Sequence, residues 1–380
     1  MIQHAKFQNF KALRNVEITF DSRLTVLVGP NGSGKTSVLQ GIHFLTQLAV
    51  LQLADQDYDI AKVVGLSSLS DPSQPVILEL AGHRKNPYGP YQAAINYQQE
   101  HYITGTLSTP AVSNDKFWQV ESEQRPDGQW LPGVRLETFA TEDAISFDTS
   151  VFIRFSAARL AAPTLIRNYP PQVGRDGTGL AAALGYIKSK YPDRFDEIVS
   201  TFSRVIPGVV GVRFDKERVP DVGAYEDVLL LDFKGAKGVI ANQVSSGTLF
   251  ALGLLTVLLA PEAPNVVLLD DLDHGLHPKA QMELVDVFRK LIEQNPNLQI
   301  IATSHSPYIL DRLEWNEVKV TALVDDGSAV CVPLTDHPLY PKWKEAMSPG
   351  EFWSHLGDDW VKKPAPPEPT PTPEPAPVAP

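Results

Sequence analysis

The chain has 380 residues, 43% hydrophobic and 21% charged, with a formal net charge of -12. This suits a globular protein with a sizeable core and two or three domains, and the negative charge argues against broad affinity for nucleic acid. No apolar run approaches a membrane span, MIQHAKFQNFK lacks the apolar stretch of a signal peptide, and the single Cys331 excludes an intrachain disulfide; a reduced, cytoplasmic protein without a membrane component is expected.

Residues 1–28 read as strands. Phe7, Phe10, Leu13, Val16, Ile18 and Phe20 supply the apolar positions, and LTVLV at 24–28 reads as a buried strand. A glycine-rich loop follows. Val38, Ile42, Leu45 and Ala49 then recur at helical spacing. From 76 to 155 the chain changes to short β-type runs, at 76–80, 92–97, 117–120 and 151–155, punctuated by turn signals such as Pro126-Asp127-Gly128. Residues 176–206 read as helix, broken at Pro192 and ended by Pro207-Gly208. Strands at 209–214 and 228–233 follow, with a hairpin over 235–238.

From Ser246 an α/β alternation returns. A helix runs to Leu259, then a buried strand VVLLD at 266–270, then a long helix over roughly 279–295 with Met282, Val285, Phe288 and Ile292 on one face. A strand at 299–303, a short helix near Tyr308 and a hairpin turning at Asp325-Asp326-Gly327 complete this part. The stretch PAPPEPTPTPEPAPVAP at 364–380 cannot form a helix or a central strand, because proline lacks the N–H and fixes its own φ. A solvated spacer is expected there.

Two motifs carry chemistry, the second weak alone, because any buried strand can end in Asp, and informative only beside the first. GPNGSGKT, residues 29–36, fits the pattern G-x-x-x-x-G-K-[ST] between a strand and a helix. Glycines let backbone N–H groups of Asn31, Gly32, Ser33, Gly34, Lys35, Thr36 and Ser37 turn toward phosphates. Lys35 reaches the terminal phosphates, Thr36 offers its hydroxyl to Mg²⁺, and the helix start points its positive dipole end at the anion. VVLLDD, residues 266–271, is an apolar strand ending in a carboxylate, Asp270, that suits the Mg²⁺ shell. Together they predict binding of ATP with Mg²⁺.

The order of further motifs resembles an ABC-type ATPase head of the AAA_21-type branch that contains RecF, SMC heads and the ATPase half of OLD proteins. VSSGTLFALGLL at 244–255 resembles that branch's signature, LLDDLDHGLHP at 268–278 its Walker B and D-loop, and ATSHSP at 302–307 its switch-histidine loop. The N-terminal FKALRNVEITF fits too. The match is close over residues 1–50 and about 240–315, and loose between. It implies an α/β P-loop NTPase fold, with an N-terminal β region and a β-rich, then helical insertion. The expected division is a discontinuous ATPase core at 1–60 and 240–335, an insertion at 61–239, a C-terminal segment at 336–363 and a proline-rich tail at 364–380.

The resemblance also implies a mechanism. Two heads sandwich two ATP molecules, so that Ser245, Ser246, Gly247 and Thr248 act in trans on the partner's nucleotide. His305 senses the γ-phosphate, and the residue after Asp270 polarises the attacking water. That residue is usually Glu in such heads and is Asp271 here. The same carboxylate on a side chain one methylene shorter predicts slow turnover or a locally adjusted backbone. The Q-loop glutamine is not assignable from sequence, with Gln40 and Gln47 on the first helix. Arg159 in FSAARLAAPT reads as a solvated arginine, or as a cation near phosphate or nucleic acid.

No coiled coil of SMC length separates the motifs. The Asp325-Asp326-Gly327 stretch has the look of a turn rather than of a Toprim nuclease cluster. Stand-alone heads of this kind, with SPGEFWSHLGDDWV at 348–361, resemble ATPase subunits of bacterial anti-phage defence systems. That implies a homodimer or higher homo-oligomer and a separate effector, a nuclease or toxin. A nucleotide-gated scaffold with little turnover, and a RecF-like repair ATPase, are the alternatives.

Overall fold

The computed structural model describes residues 1–51, 76–84, 89–98, 102–108, 116–124, 130–135, 150–163, 169–218 and 225–362. The expected turn at 126–128 and the proline-rich stretch at 364–380 lie outside them.

The chain opens with strands β1 (Ile2–Phe10), β2 (Leu13–Thr19) and β3 (Leu24–Val28), then helix α1 (Lys35–Leu51). Strands β4 (Val76–Arg84), β5 (Gly89–Gln98), β6 (Tyr102–Ser108), β7 (Lys116–Gln124) and β8 (Trp130–Arg135) follow, then β9 (Ser150–Ile153). Helices α2 (Ala157–Ala161), α3 (Leu180–Lys190) and α4 (Pro192–Val205) lead to β10 (Val209–Arg218), β11 (Tyr225–Phe233) and β12 (Ala236–Ile240). The last part runs α5 (Ser246–Leu259), β13 (Val266–Leu269), α6 (Pro278–Gln294), β14 (Gln299–Thr303), α7 (Pro307–Leu310), β15 (Val318–Leu323), β16 (Ala329–Pro333), α8 (Tyr340–Trp343) and α9 (Pro349–Leu356).

Among the described residues three sheets result. The six-stranded one has the order β16-β15-β3-β14-β13-β9. Its five strands from β15 to β9 are parallel, and β16 adds an antiparallel edge. Strands β3, β13 and β14 are buried at every position, as a parallel sheet covered on both faces requires. Alternate residues feed two separate cores. Val266 and Leu268 of β13 join Ile301 and Leu27 in a cluster with α1 and β1. Val267 and Leu269 join Ile300, Ala302 and Val26 in a cluster with α3, α4, α5 and α6. This is the period-two geometry of a strand.

The seven-stranded sheet, β2-β1-β4-β5-β6-β7-β8, is an antiparallel meander grafted onto the N-terminal hairpin, with β4 pairing directly to β1. The third sheet is β10-β11-β12. The expected break at Pro192 separates α3 from α4, and the hairpin over 235–238 joins β11 to β12.

One stretch lies elsewhere than the sequence places it. Residues 151–155 read as part of the β-rich insertion, but β9 pairs in parallel with β13, Leu268 opposite Phe152 and Leu269 opposite Ile153. A short β-type run such as SVFI carries no mark of its partner, and the pairing is set by a distant strand. Strands β6 and β8 are also additional to the runs singled out by sequence. Asp325-Asp326-Gly327 is a hairpin turn. Val324 N donates to Ser328 O at 2.9 Å, and the Asp326 carboxylate accepts from the Ser328 hydroxyl and pairs with Arg14 at 3.1 Å.

Candidate nucleotide site

The loop between β3 and α1 lies at the C-terminal edge of the parallel strands, where α/β sheets place their ligands. Gly29, Gly32 and Gly34 have φ of 139°, 81° and 94°, a region that side-chain-bearing residues rarely enter. At Gly29 a Cβ would lie 2.0 Å from the carbonyl oxygen of Thr321, so only glycine lets the loop approach β15. The Ser33 hydroxyl is buried and 2.5 Å from that of Thr321. Asn31 and Gly32 are exposed at the tip, and Thr36 and Ser37 are half-buried at the helix start.

Lys35 is 6% exposed and curls back over the loop, donating to the carbonyls of Gly29 and Pro30, both at 2.8 Å. Burial pushes its ammonium below the ordinary lysine value. The charges of Asp271, Asp270, Asp358 and Asp273 oppose that shift. Asp358 belongs to the segment after α9, and sequence gave no reason to place it near Lys35.

Asp270 follows β13 and is buried at 3%. The Thr36 hydroxyl reaches its two carboxylate oxygens at 3.0 and 3.1 Å, and the Thr303 hydroxyl donates to Oδ1 at 2.9 Å. The same Thr303 oxygen accepts the backbone N–H of Asp271 at 2.8 Å. Asp271 itself is exposed and left-handed, with φ of 56°. Asp273 ties the histidine loop down: its Oδ1 accepts from the Ser304 hydroxyl at 2.8 Å and from the His305 N–H at 3.1 Å. The His305 ring is exposed.

These hard oxygen donors suit Mg²⁺. A buried carboxylate beside a helix-start hydroxyl leaves most of the shell to substrate phosphates and water. Among the described residues no group of three or more His, Cys, Asp or Glu could hold a metal by itself. Thr36 and Asp270 would be the protein's ligands.

The signature segment starts α5. Ser245 is its exposed N-cap and accepts the Thr248 N–H at 3.3 Å. Ser246 is half-buried, and Gly247 and Thr248 are buried. A Cβ on Gly247 would meet the Gly275 carbonyl oxygen at 2.0 Å. The start of α5 therefore packs directly on the loop that follows Asp270.

Of the two glutamines, Gln40 is engaged by the Lys11 ammonium, and the side chain of Gln47 lies outside the described residues. Arg159 is 63% exposed and pairs with Asp176 at 3.6 Å. The arginine that reaches the site is Arg154, unnoticed in the sequence, with Nε 3.7 Å from Asp270 Oδ2.

The family model described as "AAA domain, putative AbiEii toxin, Type IV TA system" (AAA_21) matches residues 24–311, well over half of the chain. The chain belongs to this family. In short stretches and in fold it is similar to ABC-type ATPase heads of the RecF/SMC kind. It is 49% identical over 47 residues to the DNA replication and repair protein RecF of Anaeromyxobacter sp. (strain Fw109-5), covering 12% of this chain and 13% of that protein. It is 35% identical over 98 residues to the Retron Vc95 probable ATPase of Vibrio cholerae serotype O1 biovar El Tor, covering 24% and 18%. The chain thus matches less than a fifth of the length of these relatives. A crystal structure of an SMC head bound to the C-winged helix domain of ScpA superposes with a TM-score of 0.51 at 14% identity, covering 90% of this chain and 99% of that one. That agreement is in the fold. Among the described residues no helix is long and apolar enough to cross a membrane.

Proposed function

We propose that this head is an ATP-driven switch, acting in the cytoplasm, whose open and closed states regulate a separate effector protein in bacterial defence against phage. The observation that carries the ATPase reading is the convergence of Lys35, Thr36 and Asp270, with Thr36 and Asp270 already 3.0 Å apart. Mg²⁺ held by Thr36 and Asp270 would supply charge neutralisation at the terminal phosphates. Lys35 binds the phosphates, Asp271 orients and deprotonates water, and His305 contacts the γ-phosphate. Ser245 to Thr248 present a helix N-terminus to the nucleotide of a second copy, so ATP joins two heads. Likeness to the Retron Vc95 probable ATPase favours the defence setting. The effector would be a nuclease or toxin.

One observation favours a second reading, a nucleotide-gated scaffold in which ATP holds the assembly together by mass action. Asp271 is short for a water-polarising base, and its backbone is left-handed. The RecF relatives suggest DNA repair instead, but a net charge of -12 opposes direct duplex binding.

The test is Mg-ATP hydrolysis by purified protein, with mass measured in the same samples with and without ATP. Turnover and ATP-dependent doubling of mass, both lost in Lys35→Ala, are expected. Tight ATP binding and assembly without phosphate release, with the partner present, would replace the ATPase reading by the scaffold.

A further inference from the structure

Parallel register places Arg154 beside Asp270. Ile153 lies opposite Leu269, and the Asp270 N–H donates to the Ile153 carbonyl at 3.0 Å. The next residue on each strand is therefore Arg154 on one and Asp270 on the other. The backbone of Arg154 is fixed, its N–H donating to Arg175 O at 2.9 Å. Its side chain is 61% exposed, while that of Asp270 is 2% exposed. Among the described residues Asp270 is the ion-pair partner of Arg154.

Two more cations face this place. Lys11 is held below its ordinary value by burial first and then by the charges of Arg175 and Arg154. Arg175 lies over the Phe152 ring at 4.1 Å, and Lys11 bonds to Gln40. Both have neighbours that hold them, Phe152 and Gln40, whereas the Arg154 side chain is mostly exposed and meets a buried carboxylate.

We propose that Arg154 is an exchangeable counterion: it pairs with Asp270 at 3.7 Å and transfers to the terminal phosphate when Mg-ATP binds. This rests on the Mg-ATP reading above. A metal ion held by Thr36 and Asp270 is a cation in the place the guanidinium now faces, so the two compete for one carboxylate. The ion also brings the terminal phosphate, which offers the displaced guanidinium oxygens in a planar, bidentate match. ADP brings the metal and lacks that phosphate. Arg154 then loses one partner without gaining another, so the head discriminates ATP from ADP through this residue.

The test is equilibrium binding of Mg-ATP and Mg-ADP to the full chain, with Asp271→Asn as background to prevent turnover. Arg154→Gln is expected to lower the ATP-over-ADP preference at least tenfold, with Mg-ADP affinity equal or tighter. Arg154→Lys, which keeps the charge without the fork, is expected to fall between. Circular dichroism should be that of the parent, while the unfolding midpoint of the protein without nucleotide is expected to fall, because the buried Asp270 carboxylate loses its counterion. An unchanged ATP-to-ADP ratio in Arg154→Gln overturns the proposal while leaving the ATPase reading intact. Failure of the parent to bind Mg-ATP overturns both.

Discussion

Thr303 is the hub of the Walker B corner, and its hydroxyl can be removed at nearly constant volume. In Thr303→Val the fully buried side chain keeps its shape and loses two hydrogen bonds. One is to the Asp270 carboxylate at 2.9 Å, the other from the Asp271 N–H at 2.8 Å. A hydrogen bond to a charged group contributes about 1.5–3 kcal/mol and a neutral one about 1 kcal/mol. Asp271 is exposed and water can recover part of the second, so a net loss of about 2–3 kcal/mol is expected. The effect on chemistry is larger, because the left-handed turn at Asp271 loses its tether, and a displacement near 1 Å costs about 100-fold. The assay is urea unfolding beside single-turnover ATP hydrolysis. Thr303→Ser, which keeps the hydroxyl, is the control and should retain most of both. A Thr303→Val protein within about 0.5 kcal/mol of the parent and equally fast would refute this account.

Gly247→Ala places a methyl group 2.0 Å from the Gly275 carbonyl oxygen; overpacking of this kind costs about 1–3 kcal/mol. ATP-dependent assembly, followed by light scattering, should be lost before nucleotide binding is. Arg289 holds the buried Glu317 carboxylate at 2.6 and 3.2 Å, so Arg289→Ala should destabilise by about 3 kcal/mol in urea titration, and Glu317→Gln should cost less. His43, on α1 beside Phe152 and Ser150, is pushed down to about 4 by burial and then by Arg175. The unfolded chain takes up this proton near 6.5 and the folded chain only near 4. Stability is therefore lost as pH falls through that window, by at most roughly 3 kcal/mol, and His43→Gln should flatten the slope between pH 6.5 and 4.

The legible parts of this protein are those whose signal is local. LTVLV, VVLL and QIIAT are apolar at nearly every position because the sheet is covered on both faces, and the glycines before Lys35 announce their own loop. The illegible parts depend on register between distant strands. Arg154 follows an ordinary four-residue run, and it matters only because β9 lies beside β13. Thr303 ends a strand like many threonines, and its role appears when β14 sets its hydroxyl between Asp270 and the Asp271 amide. Lys11 sits in a turn remote in sequence from Gln40 and meets it because β1 and β2 fold against α1. Asp358 acts electrostatically on Lys35 from the stretch at 348–361, whose sequence marks a resemblance but not its place beside the loop.

Asp271 joins these two kinds of information, and it sets the last prediction. Read alone, an aspartate where related heads carry glutamate is a base that falls short. The structure adds a left-handed backbone at that residue, φ 56°, held by Thr303. That conformation costs about 1 kcal/mol or more for most side chains and is least unfavourable for Asn, Asp and Gly. Residue type and backbone are thus matched: a left-handed residue aims its side chain differently from a right-handed one, and a short polar side chain is the kind that tolerates the turn. Asp271→Glu should then lower stability by about 0.5–1 kcal/mol and turn over no faster than the parent, since the longer arm overshoots a re-aimed position. Asp271→Asn should keep stability and ATP binding and lose turnover. A glutamate variant that is both faster and equally stable would show instead that the backbone is no compensation, and that the parent is simply a slow enzyme awaiting one methylene.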